Sequence, residues 1–197
     1  MTAMTSSFLQ VAAAMVVIFA ADPAIVRAQG ETGSWLDKAR PESWNQSGMS
    51  IPRAPARHDA NDPKCQSQAR SPESAEDKQV REKGWHLEGA YLGGWQMLVI
   101  RAAAEYDGMC RPMQYQAFVF VRGVFAGTLA PRPMDSRTDG ALYDVFLRQG
   151  RLSATYERYT AKDPLCCASG TTTVEFEVGG GAPAIRPVSA STFPNTR

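Results

Sequence analysis

From Trp85 to Val178 the chain alternates apolar and polar positions with a period of two. That spacing puts successive side chains on opposite faces of a strand. Thr172, Val174, Phe176 and Val178 alternate with Thr173, Glu175 and Glu177, which predicts a strand with one solvated face. Trp95 to Glu105 differs. Met97, Leu98, Val99, Ile100 and three alanines make it almost continuously apolar, as expected of a strand covered on both faces. Arg122-Gly123 separates Tyr115–Val121 from Val124–Leu129, and Gln149-Gly150 separates Ala141–Arg148 from Arg151–Tyr159. Both read as tight hairpins, and Asp107-Gly108 is a further turn signal. Because consecutive strands usually pair, the pattern predicts a mainly β fold: a single antiparallel meander of about six strands, curved or partly barrel-like. One short helix precedes it, from Ser71 to Gly84. Ser71 supplies the N-terminal cap, Pro72 the first position and Gly84 the C-terminal stop. With little apolar surface beyond Ala75 and Val80, it is expected to lie exposed.

The flanks carry no such period. Phe8 to Ala21 is apolar apart from Gln10. It is shorter than the roughly 20 residues of a membrane-spanning helix and has the length of a signal-peptide core. Pro23 stops it, and Val26-Arg27-Ala28 presents small residues for cleavage after Ala28, although no Lys or Arg precedes the run. The expected organisation is a signal peptide at 1–28, a Pro-rich flexible segment at 29–70, a disulfide-stapled β domain at 71–178 and a loose C-terminal tail at 179–197. Within the flexible segment, Trp35, Leu36 and Trp44 are the residues able to dock on the domain.

Composition narrows the partners. With 21 Lys+Arg against 20 Asp+Glu, the net charge is +1. No basic excess supports nucleic-acid binding or an anionic lipid surface. The expected setting is periplasmic or secreted, with no transmembrane segment after signal cleavage. The expected partner is an envelope protein or wall component.

Four cysteines, an even number, favour two disulfides in an exported chain. His58 and His86 are the only histidines, and the cysteines lack zinc-ligand spacing, so neither a metal nor another cofactor is expected. Adjacent Cα atoms are about 3.8 Å apart, below the usual disulfide range of about 4.4 to 6.8 Å. Cys65 and Cys110 are therefore expected to bond Cys166 and Cys167, in either order, with a larger loss for Cys110→Ser than for Cys65→Ser.

Asp163-Pro164-Leu165-Cys166-Cys167-Ala168-Ser169, between an aromatic strand and a Thr/Val/Phe strand, resembles the LppP/LprE lipoprotein family. So does Arg122-Gly123-Val124-Phe125-Ala126-Gly127-Thr128. The resemblance spans roughly Trp85 to Val178. It implies a small exported envelope protein of a family mostly without an assigned activity. Ala168 stands where the family pattern places proline. No cysteine follows the apolar N-terminal run, so release without a lipid anchor is expected.

Candidate chemistry is sparse. No nucleophile elbow, Ser-x-x-Lys or His-Glu-x-x-His motif occurs. Asp144 and Glu157 on strands, with His86, are the candidates for a small periplasmic hydrolase. Tyr143, Tyr156 and Tyr159 with Arg148, Arg151 and Arg158 are the candidate binding face. The favoured reading is an exported non-catalytic binding or interaction module.

Overall fold

The computed structural model describes residues 33–56, 64–65, 67, 69–179 and 181–196. The leader expected at 1–28, its cleavage site and His58 lie outside the described residues. Among the described residues the elements are a 3-10 turn at Trp35–Asp37, one α-helix, α1 (Ala75–Glu82), and ten strands: β1 (His86–Gly94), β2 (Met97–Ala103), β3 (Glu105–Tyr106), β4 (Pro112–Met113), β5 (Gln116–Val121), β6 (Val124–Thr128), β7 (Ala141–Arg148), β8 (Arg151–Arg158), β9 (Gly170–Val178) and β10 (Ile185–Pro194).

The double-sided apolar run of β2 has its explanation here. β2 lies inside an antiparallel sheet of order β1-β2-β5-β6. On one face Leu98, Ile100 and Ala102 pack with Phe118, Phe120 and Phe125 against Val80 of α1, Trp85 and Ile51. On the other, Met97, Val99 and Ala103 pack with Ala117 and Val119 against a second sheet of order β10-β9-β8-β7. The inner row of that sheet includes Leu152, Ala154, Tyr156, Val174 and Phe176. Glu175 and Glu177 of β9 face water, as the alternation predicts. The hairpins at Arg122-Gly123 and Gln149-Gly150 join β5 to β6 and β7 to β8.

The single curved meander of about six strands is corrected to two stacked four-stranded sheets and a two-stranded ribbon, β3-β4. Among the described residues no barrel closes. The chain leaves the first sheet through Pro131 and Pro133, which have no N–H for a ladder, and begins the second at Ala141. The helix starts at Ser74, not Ser71. Ser74 Oγ accepts from Asp77 N, and Asp77 Oδ2 accepts in return from Ser74 N, the reciprocal box that fixes a first turn. Asp77 is fully buried and takes both terminal nitrogens of Arg70 at 2.6 Å. Burial would raise its pKa, but the Arg70 bonds and the N–H groups of Glu73 and Ser74 outweigh it and hold the carboxyl below the usual range. Nor is α1 wholly exposed, since Val80 is fully buried.

Both flanks depart from the expected looseness. In the described part of the Pro-rich segment, Leu36 is buried and Trp35 stacks edge-on against Trp44 and Tyr156. Trp44 Nε1 donates to Thr128 O at 3.0 Å. Asn45 acts as a strand partner for the edge strand β6: its Nδ2 donates to Thr128 O at 2.9 Å and its Oδ1 accepts from Thr128 N at 2.8 Å. Gly127 has φ +130°, and a Cβ there would overlap the Asn45 side chain, so the glycine makes room for this clamp. Asn45→Ala should cost about 2 kcal/mol, because buried Thr128 N loses its side-chain partner while Thr128 O keeps only Trp44. Urea denaturation measures it, and an unchanged midpoint would refute the clamp. The expected tail at 179–197 includes the longest strand, β10, which pairs with β9 along its length. Its Pro187 sits at a register shift on a sheet edge, where a missing N–H is tolerated.

The cysteine pairing is also corrected. Cys65 bonds Cys110, with Cα atoms 5.1 Å apart, and Cys166 bonds Cys167, with Cα atoms 3.8 Å apart. The reason is spatial separation. Cys65 is buried beside the loop joining β3 to β4, whereas Cys166 and Cys167 sit exposed in the turn before β9. That turn is organised by Asp163, whose Oδ2 accepts from Thr160 N, Ser169 N and Ser169 Oγ. These bonds, that of Thr160 foremost, hold its carboxyl down at about 2.

Candidate functional site

In β2 the row facing the second sheet reads Met97, Val99, Arg101, Ala103, so one cation interrupts an otherwise apolar face. Arg101 lies toward the end of β2 away from the β1–β2 turn. Its Nη2 donates across to Leu142 O of β7 at 2.9 Å. Here the two sheets part around a cavity of about 190 Å³.

Two further guanidiniums reach the same cavity, each set by local structure. Arg111 is placed by the β3–β4 loop, where Asp107 Oδ1 accepts from Met109 N and Arg111 N and Asp107 Oδ2 pairs with the Arg111 side chain at 2.6 Å. The Cys65–Cys110 bridge fastens this loop. Arg137 belongs to the turn before β7. Its Nη1 and Nη2 donate to the carbonyls of Pro164 and Asp163, at 3.1 and 2.6 Å, and its guanidinium lies 4.5 Å over the Tyr159 ring. Arg137 thus links the Cys166-Cys167 turn to the cavity wall. Neighbouring Ser136 Oγ donates to Pro112 O at 2.8 Å.

Tyrosines complete the wall. Tyr115 OH donates to Gly140 O at 2.5 Å and accepts from Leu142 N at 3.1 Å. Burial raises its pKa further above the ordinary value than the neighbouring charges do. Tyr159 OH donates to Glu157 Oε2 at 2.9 Å; burial first, and then the Glu157 bond and charge, raise it. Behind Arg101, paired with it across β1 and β2, lies buried Glu88. Burial pushes its carboxyl up to about 7, against the opposing pull of Tyr106 and of the Arg101 charge.

Of the sequence-predicted face only Tyr159 joins this cavity. Tyr156 points into the core, where its OH donates to Leu129 O at 2.8 Å. Tyr143 is exposed on the edge strand β7. Arg148 stacks over Phe146, Arg151 pairs with Glu177, and Arg158 reaches Asp37 and Thr172. These six residues do not form one surface. Asp144 Oδ1 accepts from Val145 N, and Glu157 is engaged by Tyr159; among the described residues no hydrogen bond joins the two acids. His86 lies beside the Tyr106 ring, 6.4 Å between centroids. Arg101, Arg111 and Arg137 were missed by pattern reading. Only Arg101 carried a signal, a charge inside a continuous apolar run.

A second recess, of about 490 Å³, lies at the hairpin end beside Trp95, whose side chain is exposed. Its one guanidinium, Arg122, donates through Nε to Gln96 Oε1 at 2.8 Å, so it lacks the convergent charge of the arginine-lined cavity.

The model of the LppP/LprE lipoprotein family matches residues 96–181. The match takes in β2, the β3–β4 loop, Arg137 and the whole Cys166-Cys167 turn. No curated protein and no solved structure matches the chain.

Proposed function

From a chain whose residues 96–181 match the LppP/LprE lipoprotein family, we propose an exported, non-catalytic envelope protein that acts as a binding module, with the arginine-lined cavity as its ligand site. The observation that carries the reading is the convergence of Arg101, Arg111 and Arg137 on one cavity between the sheets. Convergent polar groups in a mainly apolar recess are the ordinary makings of a ligand site. The lipoprotein family and the Cys65–Cys110 bridge support an oxidising, extracytoplasmic setting. No helix among the described residues is long and apolar enough to cross a membrane. Asp144, Glu157 and His86 are engaged in separate places, which favours binding over the small-hydrolase alternative. The partner is a component of the envelope or wall presenting a small group to this cavity.

Native mass spectrometry of the protein recovered from the cell exterior tests the reading. The wild-type chain should retain an added mass. Ala141→Trp, which fills the cavity from its β7 wall, should lose it while keeping the same β-sheet circular dichroism. Retention of the same mass by the variant would refute the assignment of the site.

A further inference from the structure

We infer that the cavity takes a small monocarboxylate with an apolar body, its carboxylate held by Arg101 and Arg137; this rests on the binding reading above. The charge balance argues for an anion. Arg111 is neutralised by Asp107 at 2.6 Å, whereas Arg101 and Arg137 donate to neutral carbonyl oxygens. Each guanidinium has five N–H donors, and these bonds use one of Arg101 and two of Arg137. Donors remain on both cations, neither of which forms a salt bridge among the described residues, although the charge of Glu88 behind Arg101 acts on it when ionised; both line the cavity. A carboxylate matches the planar fork of a guanidinium and gains charge-assisted bonds from it.

The surroundings argue for a single negative charge on an apolar body. Pro112, Ala141, Leu142, the tyrosine rings and Ser136, whose hydroxyl is spent on Pro112 O, supply the rest of the lining. Asp107 and Glu157, bonded to the lining residues Arg111 and Tyr159, bring acidic side chains close to the cavity and oppose a dianion such as phosphate. At about 190 Å³ the space is below the roughly 300–1,000 Å³ of drug-sized ligand sites, so the acid is small.

The test is titration calorimetry of the oxidised chain at pH 7 with three probes: benzoate, its neutral isostere benzamide, and inorganic phosphate. Benzoate should bind at least tenfold more tightly than either of the others. Arg137→Gln should weaken benzoate at least tenfold, and Arg137→Lys, which keeps the charge, should recover part of that loss. Arg101→Gln should weaken it similarly, with circular dichroism reporting whether the sheets are retained. Equal binding of benzamide, or tighter binding of phosphate, would overturn the carboxylate assignment and leave the cavity a binding site. No binding of benzoate, or binding indifferent to Arg137→Gln, also overturns it. Retention of a native ligand, read separately by mass, keeps the broader reading independent of this outcome.

Discussion

Cys65→Ser and Cys110→Ser should destabilise the protein equally, by about 4 kcal/mol each, because both open the same bridge. That bridge joins residues 45 apart, and the chain-entropy model assigns a loop of this order about 4 kcal/mol. Cys166→Ser and Cys167→Ser should each cost far less, on the order of 1 kcal/mol, since their bridge spans neighbours and barely restricts the unfolded chain. The Asp163 hydrogen bonds would still shape that turn. Guanidinium denaturation of the four variants measures the ranking, and non-reducing peptide mapping checks its premise. A peptide containing Cys110 linked to one containing Cys166 or Cys167 would overturn the pairing. A larger loss from Cys166→Ser than from Cys65→Ser would overturn the ranking. The Cys65–Cys110 pair also carries a functional consequence. It fastens the loop that presents Arg111 and Pro112 to the cavity, so its loss should weaken ligand retention as well as stability.

What pattern reading found and missed follows from physical causes at particular residues. β8 and β9 were legible because burial on one face imposes a period of two on them, β2 because burial on both faces makes it almost continuously apolar, and the β5–β6 and β7–β8 hairpins because glycine marks their two-residue turns. The β1–β2 turn was not. It is made by Trp95 and Gln96, with φ of 53° and 63°, residues that rarely adopt that region and so give no turn signal. β10 was hidden by the glycines before it and by Pro187, both of which an edge strand tolerates at its start and at a bulge. Trp35, Leu36, Trp44 and Asn45 each dock through a different contact, so no periodicity betrays the ordering of that segment. The cysteine pairing is not legible from the usual Cα separation, because one peptide bond fixes the spacing of neighbours at 3.8 Å whether or not they are bridged. The cavity escaped because its arginines come from a strand, a loop and a turn, and only the tertiary fold makes them neighbours.

Stability should fall as pH rises from about 4.5 to about 7, and Glu88→Gln should abolish that fall. The carboxyl of Glu88 has a reference pKa of 4.5, raised to about 7 in the folded protein, with burial as the leading cause. Between those values the native state holds a proton that the unfolded state has released. Stabilisation by the neutral acid is therefore complete below about 4.5 and lost as pH passes through about 7. At 1.36 kcal/mol per unit the loss is on the order of 3 kcal/mol. Other titratable groups stand close: Tyr106 and Arg101 act on Glu88 directly, Tyr115 is coupled to it, and His86 lies beside Tyr106. The difference between wild type and Glu88→Gln isolates the Glu88 contribution from theirs. Urea midpoints at pH 5 and pH 8 supply it. A slope unchanged in the variant would show that Glu88 is not its source. The same group should also tune the cavity through Arg101. A neutral Glu88 leaves the Arg101 charge uncompensated across the β1–β2 pair, and an ionised one offsets it. A bound carboxylate should therefore raise the Glu88 pKa further, and an anionic ligand should bind more tightly at pH 6 than at pH 8. Affinity that is flat across that range in wild type would separate Glu88 from the site. Affinity that varies in wild type but not in Glu88→Gln would tie the buried acid to the arginine that faces it.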